Sequence, residues 1–353
     1  MPYSKTASAS ATRAVLEEFG LTAKYALGQN FLVNDGVVGK IVDLAQLDPS
    51  DVVLEVGPGI GTLTTALLPH VAAVASIEAD ADMAGPLSLT TADYSERFAL
   101  VPGDALRVKP ARVQEALAAL AAANPQVAES LAGRTLPNKW VANLPYAVAA
   151  TLILDYFENW PFIQDATVMV QSEVADRICA QPGSKIYGAY TVKLSLFARV
   201  AGRFQVPPQC FFPAPHVESA VVRLERLPES ERMPVQEAAR VVEVVDAAFA
   251  QRRKTISNSM SAAKLWTKAQ LAAAFAAVGI DPGCRAETLT LAQFKALAAA
   301  LADAPAASPD LAADVCPGLS DTPGQPAAPT PAKRRKQGKS ARQAALGFDP
   351  DAV

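Results

Sequence analysis

Two short strings and two isolated carboxylates combine residue types and spacings that could do chemistry. The first string is Glu55-Val56-Gly57-Pro58-Gly59-Ile60-Gly61, set between an apolar strand-like run and a helical one. Glycines in that context let the chain turn sharply and let a ligand approach the main chain. The spacing is Gly-x-Gly-x-Gly, not the Gly-x-Gly-x-x-Gly of dinucleotide sites, and Pro58 removes an amide donor that a pyrophosphate would use. Both features disfavour a nicotinamide-dependent oxidoreductase. Glu78 ends the next strand-like run, where an acidic side chain can accept hydrogen bonds from ribose hydroxyls. Asp104 follows a third run, within Gly103-Asp104-Ala105-Leu106, where a carboxylate could accept from an adenine amine. Taken singly, Glu78 is as readily a solvated strand-end carboxylate. Taken together, the turn and the two acids fit a cofactor with ribose and adenine but no pyrophosphate, and S-adenosylmethionine is such a molecule.

The second string is Asn143-Leu144-Pro145-Tyr146. An ordinary proline turn is its plain reading, but the chemistry suggests more. An adenine amine is a poor nucleophile because its lone pair is delocalised into the ring. Acceptors aimed at its two hydrogens, the Asn143 side-chain oxygen and the Leu144 carbonyl, would orient that lone pair and stabilise charge developing on nitrogen. Pro145 fixes the carbonyl geometry, and the Tyr146 ring offers a face on which a base can stack. The methylated, cationic amine loses its proton readily, so this chemistry needs no strong base. That suits a chain with only two histidines, His70 and His216.

Apolar spacing predicts the elements that would hold these groups. Strands are expected at 51–56, 71–77, 98–101, 140–143, 167–171 and 219–224, with helices at 11–19 and 37–46 before the first of them and at 63–68 after it. Strands alternating with helices imply an α/β fold, a doubly wound, mostly parallel sheet that binds ligands beyond the carboxyl ends of its strands. The motifs fall at those ends. From Pro234 the pattern becomes purely helical (235–250, 257–265, 268–278 and 290–301). The alanine-rich stretch 113–132 reads as a surface helix. The expected division is a lead-in over 1–24, a catalytic domain over 25–227, a helical domain over 228–303 and a disordered basic tail over 304–353.

Composition narrows the class. Half of the 353 residues are hydrophobic, enough for a sizeable core, yet no stretch reads as a membrane span or a secretory signal. A cytoplasmic protein is expected. The four cysteines are far apart and form no Cys-x-x-Cys pair, so neither a disulfide framework nor a metal site is expected. The net charge of −3 argues mildly against a nucleic-acid binder, although basic clusters occur locally at Arg252-Arg253-Lys254 and Lys333-Arg334-Arg335-Lys336.

With these motifs in order, the sequence resembles the ribosomal RNA adenine dimethyltransferase family over about residues 25–301, and most of all its small-subunit (16S) branch. The resemblance implies a Rossmann-like methyltransferase sheet with a small C-terminal helical domain. It implies S-adenosylmethionine as cofactor, no metal, and dimethylation of the N6 amines of two adjacent adenosines near the 3′ end of 16S rRNA. The substrate would be the small ribosomal subunit or its precursor, and the protein a monomer. Gly28-Gln29-Asn30-Phe31-Leu32 matches the family's N-terminal cofactor segment and implies contacts at Asn30 and Leu32. Gly57, Gly59, Glu78, Asp104 and Asn143 match its remaining cofactor positions. Tyr146 matches the aromatic that stacks on the target base. Phe211-Phe212-Pro213-Ala214-Pro215-His216-Val217-Glu218-Ser219 resembles the loop supplying a second ring, assigned to Phe211. The match at residues 251–259 makes Arg252, Arg253 and Lys254 phosphate contacts. Three departures stand out: Lys24 alone precedes Gly28 where the family is more basic, the 113–132 insert is long, and the tail has no counterpart. Within that tail Gly338-Lys339-Ser340 lacks the first glycine of a phosphate loop. A rival from another class is a non-catalytic assembly factor that binds immature subunits with a vestigial cofactor pocket.

Overall fold

The computed structural model describes residues 2–24 and 28–302. The predicted tail over 304–353 lies outside the described residues. In chain order the elements are α1 (Ala9–Glu18), β1 (Phe31–Leu32), α2 (Asp35–Ala45), β2 (Val52–Val56), α3 (Thr62–Leu67), β3 (Ala73–Glu78), α4 (Ala84–Thr90) and β4 (Phe98–Pro102). There follow α5 (Pro110–Ala123), α6 (Pro125–Ser130), β5 (Lys139–Asn143), α7 (Ala149–Asn159), β6 (Asp165–Gln171), α8 (Ser172–Ile178), α9 (Ala189–Leu194) and β7 (Ala198–Val206). The chain then forms β8 (Phe211–Phe212), β9 (Ser219–Arg226), α10 (Val235–Phe249), α11 (Ile256–Ala263), α12 (Lys268–Ala277) and α13 (Leu291–Ala302).

Seven strands form one sheet in the order β4-β3-β2-β5-β6-β9-β7. The first five are parallel, while β9 runs antiparallel to both β6 and β7. Strand order reverses between β2 and β5, so the crevice beyond their carboxyl ends is the sheet's ligand-binding switch point. The central strands are buried on both faces, as parallel strands flanked by helices must be. Val52, Leu54 and Val56 point into a core shared with Val113, Leu117, Leu152 and Tyr156 of the helices on one face. Val53, Val74 and Val141 face the other way, onto Val38, Ile41, Leu63 and Leu67 of α2 and α3.

Several expectations are corrected. The alanine-rich insert is two helices, split where Asn124 caps α6 and Pro125 takes its first position. Its exposed alanines conceal an apolar stripe, since Val113, Leu117, Val127 and Leu131 are buried in the sheet's core. Strand β7 was not foreseen. It is an edge strand with Arg199 and Arg203 along it, and such charges blunt sheet edges while erasing the apolar alternation that would betray a strand. Nor is residues 2–19 merely a polar lead-in. The Tyr3 and Ser4 amides donate to the Asp35 carboxylate, Ser4 Oγ meets Thr65 Oγ1 at 2.9 Å, and Thr6 Oγ1 meets Thr62 Oγ1 at 2.9 Å. Leu16 is buried with Phe31, Ile60, Met83 and Leu87, so α1 packs over the glycine turn.

The C-terminal helices share their own core. Val241, Val244, Val245 and Ala248 form one face of α10, at the three-and-four spacing of an amphipathic helix. They pack with Phe275, Phe294 and Leu297, and also with Tyr187, Val192 and Leu196 around α9. The helical layer therefore grows from the α8–α9 hairpin as well as from residues beyond 228.

Candidate active site

The glycine turn follows β2 and the Asn-Leu-Pro-Tyr turn follows β5, so the two flank the switch point. They touch. A Cβ added to Gly57 would lie 3.5 Å from the Pro145 ring and 3.8 Å from the Asn143 carbonyl oxygen. Gly57 and Gly59 have φ of +70° and +57°, a left-handed conformation that side chains resist. At Gly59 an added Cβ would also come within 3.0 Å of the Phe31 ring.

Hydrogen bonds tie the neighbouring strand ends together. The Gly57 amide donates to the Ile77 carbonyl at 2.9 Å, and the Gly103 amide donates to the Glu78 carbonyl at 2.8 Å. The side chain of Glu78 takes the Gly59 amide on Oε2 at 3.2 Å and the Asp80 amide on Oε1 at 2.9 Å. A carboxylate offers about four lone-pair sites, so each oxygen keeps one for a further donor such as a ribose hydroxyl. Burial raises the Glu78 pKa, and the Asp80, Gly59 and Ala79 amides oppose that shift. Asp104 stands at the mouth, with Oδ1 accepting the Leu106 amide at 3.0 Å and about half of its side chain exposed. Among the described residues no group of three or more His, Cys, Asp or Glu could hold a metal ion. The donor set suits a neutral ribose and adenine: carboxylates, bare backbone and glycines.

Asn143 is half-buried, and its amide nitrogen donates to the Asn30 main-chain carbonyl at 3.2 Å. A carbonyl can only accept, so this contact fixes which end of the carboxamide is which. Among the described residues nothing donates to its Oδ1 oxygen, which stands as an acceptor. Asn30 is itself held by its side chain, which donates to the Gly28 carbonyl at 3.0 Å. Leu144 is buried; its amide donates to the Met169 carbonyl at 3.1 Å. Pro145 receives the Val148 and Ala149 amides on its carbonyl, which starts α7.

The aromatic positions differ from each other. Tyr146 is half-buried and its hydroxyl meets Ser219 Oγ at 2.6 Å. Phe211 is only 4% exposed and packs in the core with Leu32, Val38 and Cys210. Its neighbour Phe212 is the more open ring, with the Arg13 guanidinium 4.6 Å from its centroid. Leu32 pairs with Phe211 in a two-stranded ladder and is buried, so only its main chain is available to a ligand. Arg252, Arg253 and Lys254 are exposed on the α10–α11 turn, away from any ion pair among the described residues. Ser259 braces that turn, accepting the Gln251 amide at 3.0 Å and donating to the Ala247 carbonyl at 2.8 Å.

Sequence reasoning missed three groups here. Lys24 Nζ lies 2.6 Å from both Asp80 and Asp82, and Gln29 Nε2 donates to Asp80 at 2.8 Å. The charge of Lys24 is thus satisfied within the protein. Burial pushes Asp80 up, but the bonds from Lys24 and Gln29 outweigh it and leave its pKa lowered. Glu55, fully buried, accepts from Thr64 Oγ1 at 2.6 Å and Ser76 Oγ at 2.8 Å, joining α3 to β3 beneath the glycine turn. Ser219 is the third. Glu55 and Ser219 stand inside strings that the sequence singled out, but nothing in their spacing showed which side chains they would meet.

Comparison with known proteins agrees with this arrangement. The Ribosomal RNA small subunit methyltransferase A of Thermobifida fusca is 40% identical over 294 residues, covering 81% of this chain and 93% of its own. Its counterpart from Rhodococcus opacus is 41% identical over 295 residues, covering 81% and 92%. Among solved structures, a dimethyladenosine transferase from Plasmodium falciparum matches with a TM-score of 0.61 at 23% identity, covering 76% of this chain and 95% of its own. The 23S rRNA methyltransferase ErmE matches with a TM-score of 0.55 at 24% identity, covering 77% and 100%. At those identities the structures speak for the fold alone, a Rossmann-like methyltransferase. Residues 20–303 match the family model described as ribosomal RNA adenine dimethylase, and the chain belongs to that family.

Proposed function

We infer that the protein dimethylates the N6 amines of two adjacent adenosines near the 3′ end of 16S rRNA, within the small ribosomal subunit or its precursor. The relatives named for small-subunit methylation support this substrate. The observation that carries the site is the bond from the Asn143 amide nitrogen to the Asn30 carbonyl, which leaves Oδ1 as the acceptor end of a residue whose main chain adjoins the glycine turn.

S-adenosylmethionine, when bound, supplies a methyl group on an electrophilic sulfonium. Gly57 and Gly59 would admit it to the main chain, Glu78 would accept from its ribose and Asp104 from its adenine amine, and the main chain at Asn30 and Leu32 would line its pocket. Asn143 Oδ1 and the Leu144 carbonyl accept the two hydrogens of the target amine, turning its lone pair toward the methyl carbon. As positive charge develops on that nitrogen, the same two acceptors stabilise it. The proton then leaves to water. Tyr146 and Phe211 bound the base slot, and Arg252, Arg253 and Lys254 take RNA phosphates.

On this reading residues 25–227 form the catalytic domain and 228–303 the RNA-docking domain of a cytoplasmic monomer acting in ribosome biogenesis. Among the described residues no helix is long and apolar enough to cross a membrane. Mapping N6,N6-dimethyladenosine in 16S rRNA from cells lacking the protein tests the function. The adjacent pair should be unmethylated and should return when the gene is restored; a pair that stays dimethylated overturns the reading. Calorimetry with S-adenosylmethionine separates an enzyme from a vestigial assembly factor, which would give no binding heat.

A further inference from the structure

We propose that Ser219 is a positioning residue that holds the Tyr146 ring in place and sets the width of the base slot. This rests on the functional reading above, in which Tyr146 stacks on the target adenine.

Ser219 opens β9 and has no exposed surface. It is fixed on both sides by the sheet, opposite Gln171 of β6 and Val206 of β7. Gln205, in the amide orientation that satisfies both of its ends, donates to the Ser219 carbonyl at 2.9 Å. The hydroxyl of this rigidly held residue meets the Tyr146 phenol at 2.6 Å.

Tyr146 is therefore tied at both ends. Its main chain is held by the turn, through the Leu144 amide on Met169 and the Pro145 carbonyl at the start of α7. Its far end is held by Ser219. A tyrosine has two side-chain torsions, and fixing its tip removes the freedom of both. The tether also joins two separate segments. Tyr146 belongs to the turn after β5, whereas Ser219 is the exit of the 211–218 loop that carries the second ring. The bond thus couples the two ring-bearing walls, and a base between them meets a slot of set width. Stacking on a ring already in place spares the cost of ordering it, and small displacements at a reacting centre cost rate steeply. The demand is greatest at the second transfer, when the amine already carries one methyl group.

A double-mutant cycle tests this, using Ser219→Ala, Tyr146→Phe and the double variant on undermodified small subunits. Each single change should lower kcat by about 5- to 10-fold, the worth of one net hydrogen bond, and raise the share of monomethyladenosine. Affinity for S-adenosylmethionine should not change. The double variant should be no slower than either single one. Additive losses in rate would mean that Ser219 only supports the strand, and would overturn the proposal, as would an unchanged Tyr146→Phe. Unfolding midpoints of the same four proteins report the contact without any substrate. Absence of coupling there overturns the tether itself. A wild type that makes no dimethyladenosine while the midpoints still couple overturns instead the function on which the proposal rests.

Discussion

At the scale of single residues, the proposed function divides the site into acceptors that would hold the cofactor and acceptors that would steer the base. Glu78 belongs to the first group. Replacing it with alanine removes the two free acceptor sites and releases the Gly59 and Asp80 amides. The affinity for S-adenosylmethionine should fall about 10- to 100-fold, as expected for hydrogen bonds to a charged group, and calorimetry measures it. Because burial raises the Glu78 pKa, affinity in the wild type should begin to weaken at a higher pH than an ordinary glutamate would set as pH falls. An affinity flat through that range and unchanged by Glu78→Ala would remove it from the site. The placing of these groups was legible in the sequence, since Gly57, Glu78, Asp104 and Asn143 all stand at or just beyond the carboxyl ends of neighbouring parallel strands. What could not be read was orientation. No spacing rule says that Asn143 turns its nitrogen to Asn30, because that contact joins residues 113 positions apart. Phe211 was likewise legible as an aromatic of the loop, but not as a ring with 4% exposure.

At the scale of elements, Glu55 shows how the glycine turn is supported. Its buried carboxyl joins Thr64 of α3 to Ser76 of β3, and burial pushes its pKa up to about 7. A group raised on folding favours the folded state most below its unfolded pKa, and that contribution is lost as pH rises through the folded value. The wild type should therefore lose stability from about pH 4.5 to about pH 7 relative to Glu55→Gln, which cannot ionise and keeps an oxygen for both hydroxyls. Thermal unfolding of the two proteins across that range should show midpoints diverging in favour of the variant as pH rises. Parallel curves would mean that Glu55 is ionised throughout. The elements themselves were legible where burial left a pattern. The five parallel strands and α10 to α13 emerged with small shifts at their ends. Strand β7 did not, because an edge strand with Val200 exposed and arginines along it carries no alternation. Helices α5 and α6 were seen only as surface, because alanine marks helix without marking which face is buried.

At the scale of the whole molecule, overall charge misleads about the partner. The net charge of −3 coexists with an exposed, braced basic turn at Arg252, Arg253 and Lys254, none of which is in an ion pair among the described residues. Replacing all three with alanine should weaken binding to the small subunit and flatten its salt dependence, by up to roughly 0.7–0.9 in log–log slope for each phosphate that is no longer neutralised. Binding of S-adenosylmethionine should be untouched. An unchanged salt slope would place the RNA elsewhere. The C-terminal helices share one core with α9, so a basic turn on them has a fixed relation to the sheet that carries the cleft.

In the function proposed, the Asn143 carboxamide, held by Asn30, steers an adenine amine onto a methyl donor beside the glycine turn. Methyl transfer to undermodified small subunits by purified wild type and Asn143→Ala, followed by mass spectrometry of the 16S rRNA, tests it directly. The wild type should place two methyl groups on each of two adjacent adenosines. Asn143→Ala should be slower by at least about 100-fold, while its unfolding midpoint and its affinity for S-adenosylmethionine stay close to those of the wild type. Transfer by Asn143→Ala at the wild-type rate would contradict the account.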